Sequence, residues 1–158
     1  MHGCAIQQDG RSAALTAPNG QAQIQLMRAG MADAGTPPAE LSCYEAHGTG
    51  TPLGDPIEVR ATKAAILAGR GDAEPLQIGS VKANCGHGEP AAGVLGIIRL
   101  AMGLMAGQAP PNAQLRAMNE HVAATMDGSA AGALPVQIAD LPKLPHRTPN
   151  YAGGVSSM

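Results

Sequence analysis

The sequence predicts an α/β protein built on a mostly parallel sheet, and three observations carry that prediction. Short apolar runs of strand length alternate with longer stretches patterned at helical spacing, as βα units require. A helix-start signature, DPIE at 55–58, stands between two of the strand-like runs. Two glycine-flanked histidine loops, HGTGTPLGDP and CGHGEP, each follow a strand-like run and precede a helix. In a parallel sheet that edge is where sites form.

Taken in order, PNGQAQIQLMRAGMADAG places Ile24, Met27, Met31 and Ala34 at helical spacing, enters after Pro18-Asn19-Gly20 and stops at Gly35, ahead of Pro37-Pro38. Leu41 to Ala46 reads as a short strand. DPIE then offers Asp55 as an acidic cap, Pro56 at the first helical position and Glu58 three residues after the cap. The resulting helix runs to about Gly69 with Ile57, Ala61, Ala64, Ala65 and Ala68 on one face. Leu76 to Val81 reads as a buried strand, followed by the loop KANCGHG. Pro90 opens a third helix, apolar nearly all round as far as Gly107, which has to be covered on most sides. Residues 108–135, with Pro110-Pro111 and a Gly/Ala/Ser stretch near 128–133, read mostly as loop. Val136 to Ala139 and Ala152 to Ser156 are the final candidate strands.

A chain of 158 residues fits one domain with a core of its own. Its formal charge of −2, without a basic stripe and with two Tyr but no Phe or Trp, argues against nucleic acid as a partner. Cys4, Cys43 and Cys85 form no CxxC pair and no even-numbered framework, which fits a reducing compartment. The first twenty residues lack a basic start followed by an apolar run, so the cytoplasm is the default expectation unless preceding polypeptide carries an address. No window is expected to reach the length of a membrane span.

The chemistry is concentrated in the two loops. Each of His47 and His87 sits among glycines that allow tight turns and close approach of a substrate to the backbone. A neutral imidazole donates from one nitrogen and accepts at the other, so two converging rings can hold a thioester or carboxylate oxygen as charge builds on it. A single loop histidine is more often satisfied locally; two in matching contexts favour function. A zinc site from His47, His87 and Glu45 or Cys85 matches none of the usual ligand spacings, and no metal is expected. Lys82 lies in the His87 loop, where it is either an ordinary exposed lysine or a charge that orients a carboxylate or tunes His87. Thr49 and Thr51 offer hydroxyls beside His47 that suit an amide-bearing substrate arm as well as a plain turn. Asp55 and Glu58 are expected to cap helix amides rather than to act as general acid and base.

EAHGTGTPLGDPIE at 45–58, SVKANCGHGEPAAG at 80–93 and AGGVSSM at 152–158, with QQDGRSAALTAPNG at 7–20 upstream, resemble β-ketoacyl synthase domains of type I polyketide synthases. The resemblance implies the C-terminal half of a thiolase-like fold, with a mixed, mostly parallel sheet and helices on both faces. It also implies decarboxylative condensation of an acyl thioester with a malonyl-type unit on acyl carrier protein, in polyketide or fatty acid biosynthesis. By motif, His47 matches the histidine that assists decarboxylation, His87 the one that stabilises the developing enolate and oxyanion, and Lys82 the lysine of that loop. Thr49 and Thr51 match threonines that contact the phosphopantetheine arm. No cofactor is implied beyond that arm, and the intact enzyme is expected as a homodimer.

The departures from the family pattern shape the remaining expectations. The nucleophile motif, resembling DTACSSS, is absent; Cys85 replaces an apolar residue, Gly88 a threonine, Pro90 an alanine, and Met158 the phenylalanine that gates the acyl pocket. Buried cysteine behaves as a small apolar side chain, and Cys85, beside His87, is the one to test for reactivity. The chain is therefore expected to be a ketosynthase half truncated at both ends, inactive alone and completed by an N-terminal half. Two other readings stay open: a non-catalytic subunit paired with a second ketosynthase-like chain, and a small metal- or ligand-binding protein using His47 and His87.

Overall fold

The computed structural model describes all residues except 13–16, 114, 128, 145, 147–150 and 158. Helix α1, Gly20–Asp33, starts where Asn19 accepts the amides of Gln21 and Ala22 and ends ahead of Gly35, which takes a positive φ of 58°. Strand β1, Cys43–Glu45, is buried along its length. Helix α2, Gly54–Ala65, is shorter than its pattern suggests: the chain tightens into a 3-10 turn over Leu67–Gly69, and the buried Arg70 guanidinium donates to the carbonyls of Pro38, Leu41 and Glu74. Its buried face is Pro56, Glu58, Ala61, Thr62 and Ala65, whereas Ala64 and Ala68 are exposed.

Strand β2, Leu76–Gly79, ends two residues before the expected boundary, and residues expected in a loop form a single helical turn, α3, Lys82–Cys85. Pro90 lies in a 3-10 turn, Glu89–Ala91, that leads into α4, Ala92–Ala106, capped by Gly107 in the left-handed conformation. Beyond it come β3, Gln108–Ala109; α5, Glu120–Met126; β4, Gly132–Ala133; β5, Ala139–Asp140; and β6, Gly153–Val155. Residues 108–135 are mostly loop, as expected, but they also hold α5 and two two-residue strands that the pattern did not show. Helix α5 is too short to show a period, but Asn119 caps it by accepting the amides of His121 and Val122. Of the expected strand at Val136–Ala139 only its last residue pairs; Val136 and Ile138 are exposed.

Strands β4, β2, β1 and β6 form one sheet in that order, every pair parallel, and β3 and β5 form a separate antiparallel pair. Alternation along β1 sends successive side chains to opposite faces. Tyr44 joins Met27, Ala61, Ala65 and Ile78 in the core under α1 and α2. Cys43, on the other face, packs with Ala109 and Leu141 against Leu100 and Leu104 of α4.

The all-round apolar character of α4 does not translate into all-round burial. Val94, Ile97, Ile98, Met102 and Met105 are exposed within this chain. The helical stretch Glu89–Ala106 also has the length and composition of a membrane span, contrary to the sequence expectation. Arg99 in its middle pairs with buried Glu45 of β1, and the helix lies on the sheet as one layer of the α/β fold.

Candidate active site

Both histidine loops leave the C-terminal ends of neighbouring parallel strands. After β1, Ala46 still donates to Gly79 O at 2.7 Å, and the backbone then turns away. The turn is held by a buried carboxylate: Glu58 of α2 accepts the amides of His47 at 2.7 Å and Gly48 at 2.8 Å. Asp55 accepts the amide of Gly50 at 3.1 Å. These two acids therefore fix the loop and do not cap helix amides as expected, because the helix begins at Gly54 and both side chains point back across its N-terminal turn. Gly48, at φ 49°, has no room for a side chain, since a Cβ there would lie 2.8 Å from Ser80 Cβ.

The second loop leaves β2 through Ser80 and Val81, runs through α3 and turns at Gly86, φ 81°. His87 Nδ1 accepts the amide of Glu89 at 3.2 Å. In a neutral ring that bond makes Nδ1 the acceptor and leaves the proton on Nε2. Glu89 reaches it from a left-handed φ of 46°, unusual for a residue with a Cβ.

The two rings meet edge to face, 5.7 Å between centroids and 90° between planes. Burial, together with the charge of Lys82 and the neighbouring His87, pushes the His47 pKa down to about 4, so the ring is neutral at ordinary pH. Lys82 is half-buried at the start of α3, and its charge acts on His47 and Glu45. Thr49 and Thr51 are brought together, 3.5 Å between hydroxyl oxygens, and Thr51 also accepts the amide of Gly54 at 3.0 Å. The cysteines are not gathered here. Cys43 is buried on the α4 face with its thiol pushed up to about 12 by desolvation, Cys4 is exposed near α1, and Cys85 is exposed with Sγ on Val81 O at 3.3 Å. Among the described residues no three His, Cys, Asp or Glu side chains are placed to hold a metal ion. Glu45, weighed above as a ligand, is taken up by Arg99 and the Val81 amide.

The sequence reading missed the residues that hold this edge in place. Buried Asn112 accepts from Ser80 N at 3.1 Å and donates to Ile78 O at 3.1 Å and Pro135 O at 3.3 Å, tying the end of β2 to a distant loop. Ser80 donates to His47 O at 3.2 Å. Ser156, just past β6, takes the Tyr44 hydroxyl at 2.7 Å and donates to Glu58 at 3.1 Å. Nothing local marks Asn112 as special; Ser80 and Ser156 stand inside the quoted motifs, where their neighbours draw attention first.

A sequence model of the β-ketoacyl synthase C-terminal domain matches residues 1–116, which include both histidine loops. The chain belongs to the β-ketoacyl synthase family. Its relatives among curated proteins include a phenolphthiocerol/phthiocerol polyketide synthase component of Mycobacterium tuberculosis, 49% identical over 120 residues, 76% of this chain and 6% of that protein. A spectinabilin polyketide synthase system protein of Streptomyces orinoci is 48% identical over 122 residues, 77% of this chain and 3% of that protein. An oxazolomycin ketosynthase domain from Streptomyces albus superposes with a TM-score of 0.80 at 30% identity, over 88% of this chain and 23% of that one. The ketosynthase from module 6 of the bacillaene synthase of Bacillus subtilis 168 gives 0.78 at 31%, over 88% and 24%. The fold is thus the C-terminal ketosynthase domain, thiolase-like in architecture, and this β-ketoacyl synthase chain spans a small fraction of the curated relatives it matches.

Proposed function

We propose that these residues supply the histidine half of a ketosynthase active site whose nucleophilic cysteine comes from polypeptide outside this sequence. The observation that carries the reading is the juxtaposition of His47 and His87 on the C-terminal edge of a parallel sheet, in a chain of this family. The cysteine thiolate attacks an acyl thioester and expels the pantetheine thiol of the donor. A malonyl-type thioester on acyl carrier protein then loses carbon dioxide, and its enolate carbon attacks the acyl-enzyme, releasing the cysteine and a β-ketoacyl thioester.

In this scheme neutral His47 assists decarboxylation, and its low pKa supports the role because a neutral ring neither pairs with the departing carboxylate as a cation nor needs deprotonation first. His87 turns Nε2–H toward the enolate or thioester oxygen, the tautomer that the Glu89 amide favours. Thr49 and Thr51 contact the phosphopantetheine arm, and Lys82 supplies positive charge. The exposed apolar stripe of α4 is where we place the N-terminal half, within a homodimeric, cytoplasmic polyketide-forming enzyme.

The test uses the complete ketosynthase polypeptide that contains these residues, with acyl and malonyl thioesters on carrier protein. His47→Ala and His87→Ala are each expected to lower kcat by about 10²–10⁴-fold. The 158-residue chain by itself is expected to form no acyl-enzyme and no condensed product. Wild-type turnover by the double histidine variant would overturn the reading.

A further inference from the structure

We propose that Glu45 is a positioning residue for the histidine pair: its carboxylate, held by Arg99 of α4, takes the Val81 amide and so sets where the His87 loop leaves β2. For its effect on turnover the proposal rests on the ketosynthase reading above; its geometric content does not.

Glu45 is the last residue of β1, 2% exposed, two residues before His47. Its Oε1 accepts from Val81 N, at the point where the second loop begins, and its Oε2 pairs with Arg99 Nη1. Arg99 Nη2 reaches Pro110 O at 3.0 Å, so the guanidinium is itself anchored to the segment after β3. The fold leaves space for this pair on both sides. A Cβ at Gly79 would stand 2.6 Å from Arg99 Nη2, and one at Gly96 would stand 3.3 Å from Glu45 Cγ.

Stability alone is a poor reason for such an arrangement. Replacing a buried ion pair by well-packed apolar side chains of similar volume is often neutral or stabilising. What an apolar pair cannot do is accept the Val81 amide. That bond joins the strand bearing His47 to the first residue of the loop bearing His87, on the opposite side of Ser80 from the Asn112 tie. With it, the two loops keep one relative position; without it, the exit of the His87 loop from β2 keeps the ties at Ser80 but loses the one to the strand that bears His47.

The experiment compares Glu45→Leu/Arg99→Met, Glu45→Gln and Val81→Pro in the ketosynthase polypeptide that contains this sequence. Val81 already has φ −55°, so proline removes its amide donor with the backbone in range. Thermal unfolding, crystallographic ring separation, and kcat and KM are measured for each. The apolar double variant is expected to melt within a few degrees of wild type, with the ring centroids more than 1 Å further apart. Its kcat is expected to fall at least tenfold while KM changes less than twofold. Glu45→Gln keeps an acceptor oxygen and is expected to restore kcat to within about threefold; Val81→Pro is expected to mimic the double variant. Unchanged ring separation in both the double variant and Val81→Pro overturns the proposal. A wild-type polypeptide that fails to condense thioesters removes the ketosynthase reading, and the ring separation still decides the role of Glu45.

Discussion

The amides of His47 and Gly48 both point into the buried carboxylate of Glu58, eleven positions along the chain and on the following helix. Backbone direction at the candidate site is therefore set by a side chain that never faces it. Ser156 donates to the same carboxylate, so three of the elements that meet at this edge converge on one group.

Removing that carboxylate is expected to loosen the loop before it harms the helix. Glu58→Ala leaves two backbone donors and a hydroxyl without their acceptor, and Glu58→Gln offers only one acceptor oxygen to them. Both variants are expected to lose about 1–3 kcal/mol of unfolding free energy, Ala more than Gln, as read by urea denaturation.

His47 is expected to stay neutral down to about pH 4, which histidine-selective NMR titration checks directly. In the unfolded chain the same imidazole titrates near 6.5. Between those values the unfolded state binds the extra proton, so this residue makes stability rise with pH across that window and fall away as pH drops from 6.5 towards 4. His47→Gln is expected to flatten that part of the stability profile.

Asn112→Ala is expected to cost about 1–3 kcal/mol, because it strands the Ser80 amide and the Ile78 carbonyl at the end of β2, while Pro135 O keeps the residue-112 backbone amide. Hydrogen exchange at the Ser80 amide should quicken with it; unchanged protection there would show that the tie to β2 lies elsewhere.

Thiol labelling of the folded chain should modify Cys4 and Cys85 and spare Cys43 until unfolding. Cys43 is buried against α4 with its pKa pushed up to about 12, so little thiolate is available to react. Rapid labelling of three thiols in native conditions would contradict the placement of β1.

Met102→Lys is expected to change the stability of this chain by less than about 0.5 kcal/mol, since the side chain is 65% exposed. In the complete ketosynthase polypeptide the same change is expected to lower folded yield, because there it would put a charge into the interface proposed for α4. Equal tolerance in both would place the N-terminal half elsewhere.

The residues by themselves determined the alternation of strand and helix, the entry of α1 at Pro18-Asn19-Gly20, the placement of His47 and His87 in glycine turns after strands, and the family motifs. All of these are local: a cap, a period, or a glycine spacing is written within a few neighbours. The tertiary structure alone decided what is not local. It turned Glu58 and Asp55 from helix caps into supports of the His47 loop, and it directed the charge of Lys82 to His47. It gave Asn112 the end of β2 to hold and left one face of α4 without a cover. Each of these depends on which distant backbone groups arrive beside a side chain when parallel strands pair, and a hydrogen bond forms with whatever donor or acceptor lies within about 3 Å, however far away it stands in the chain.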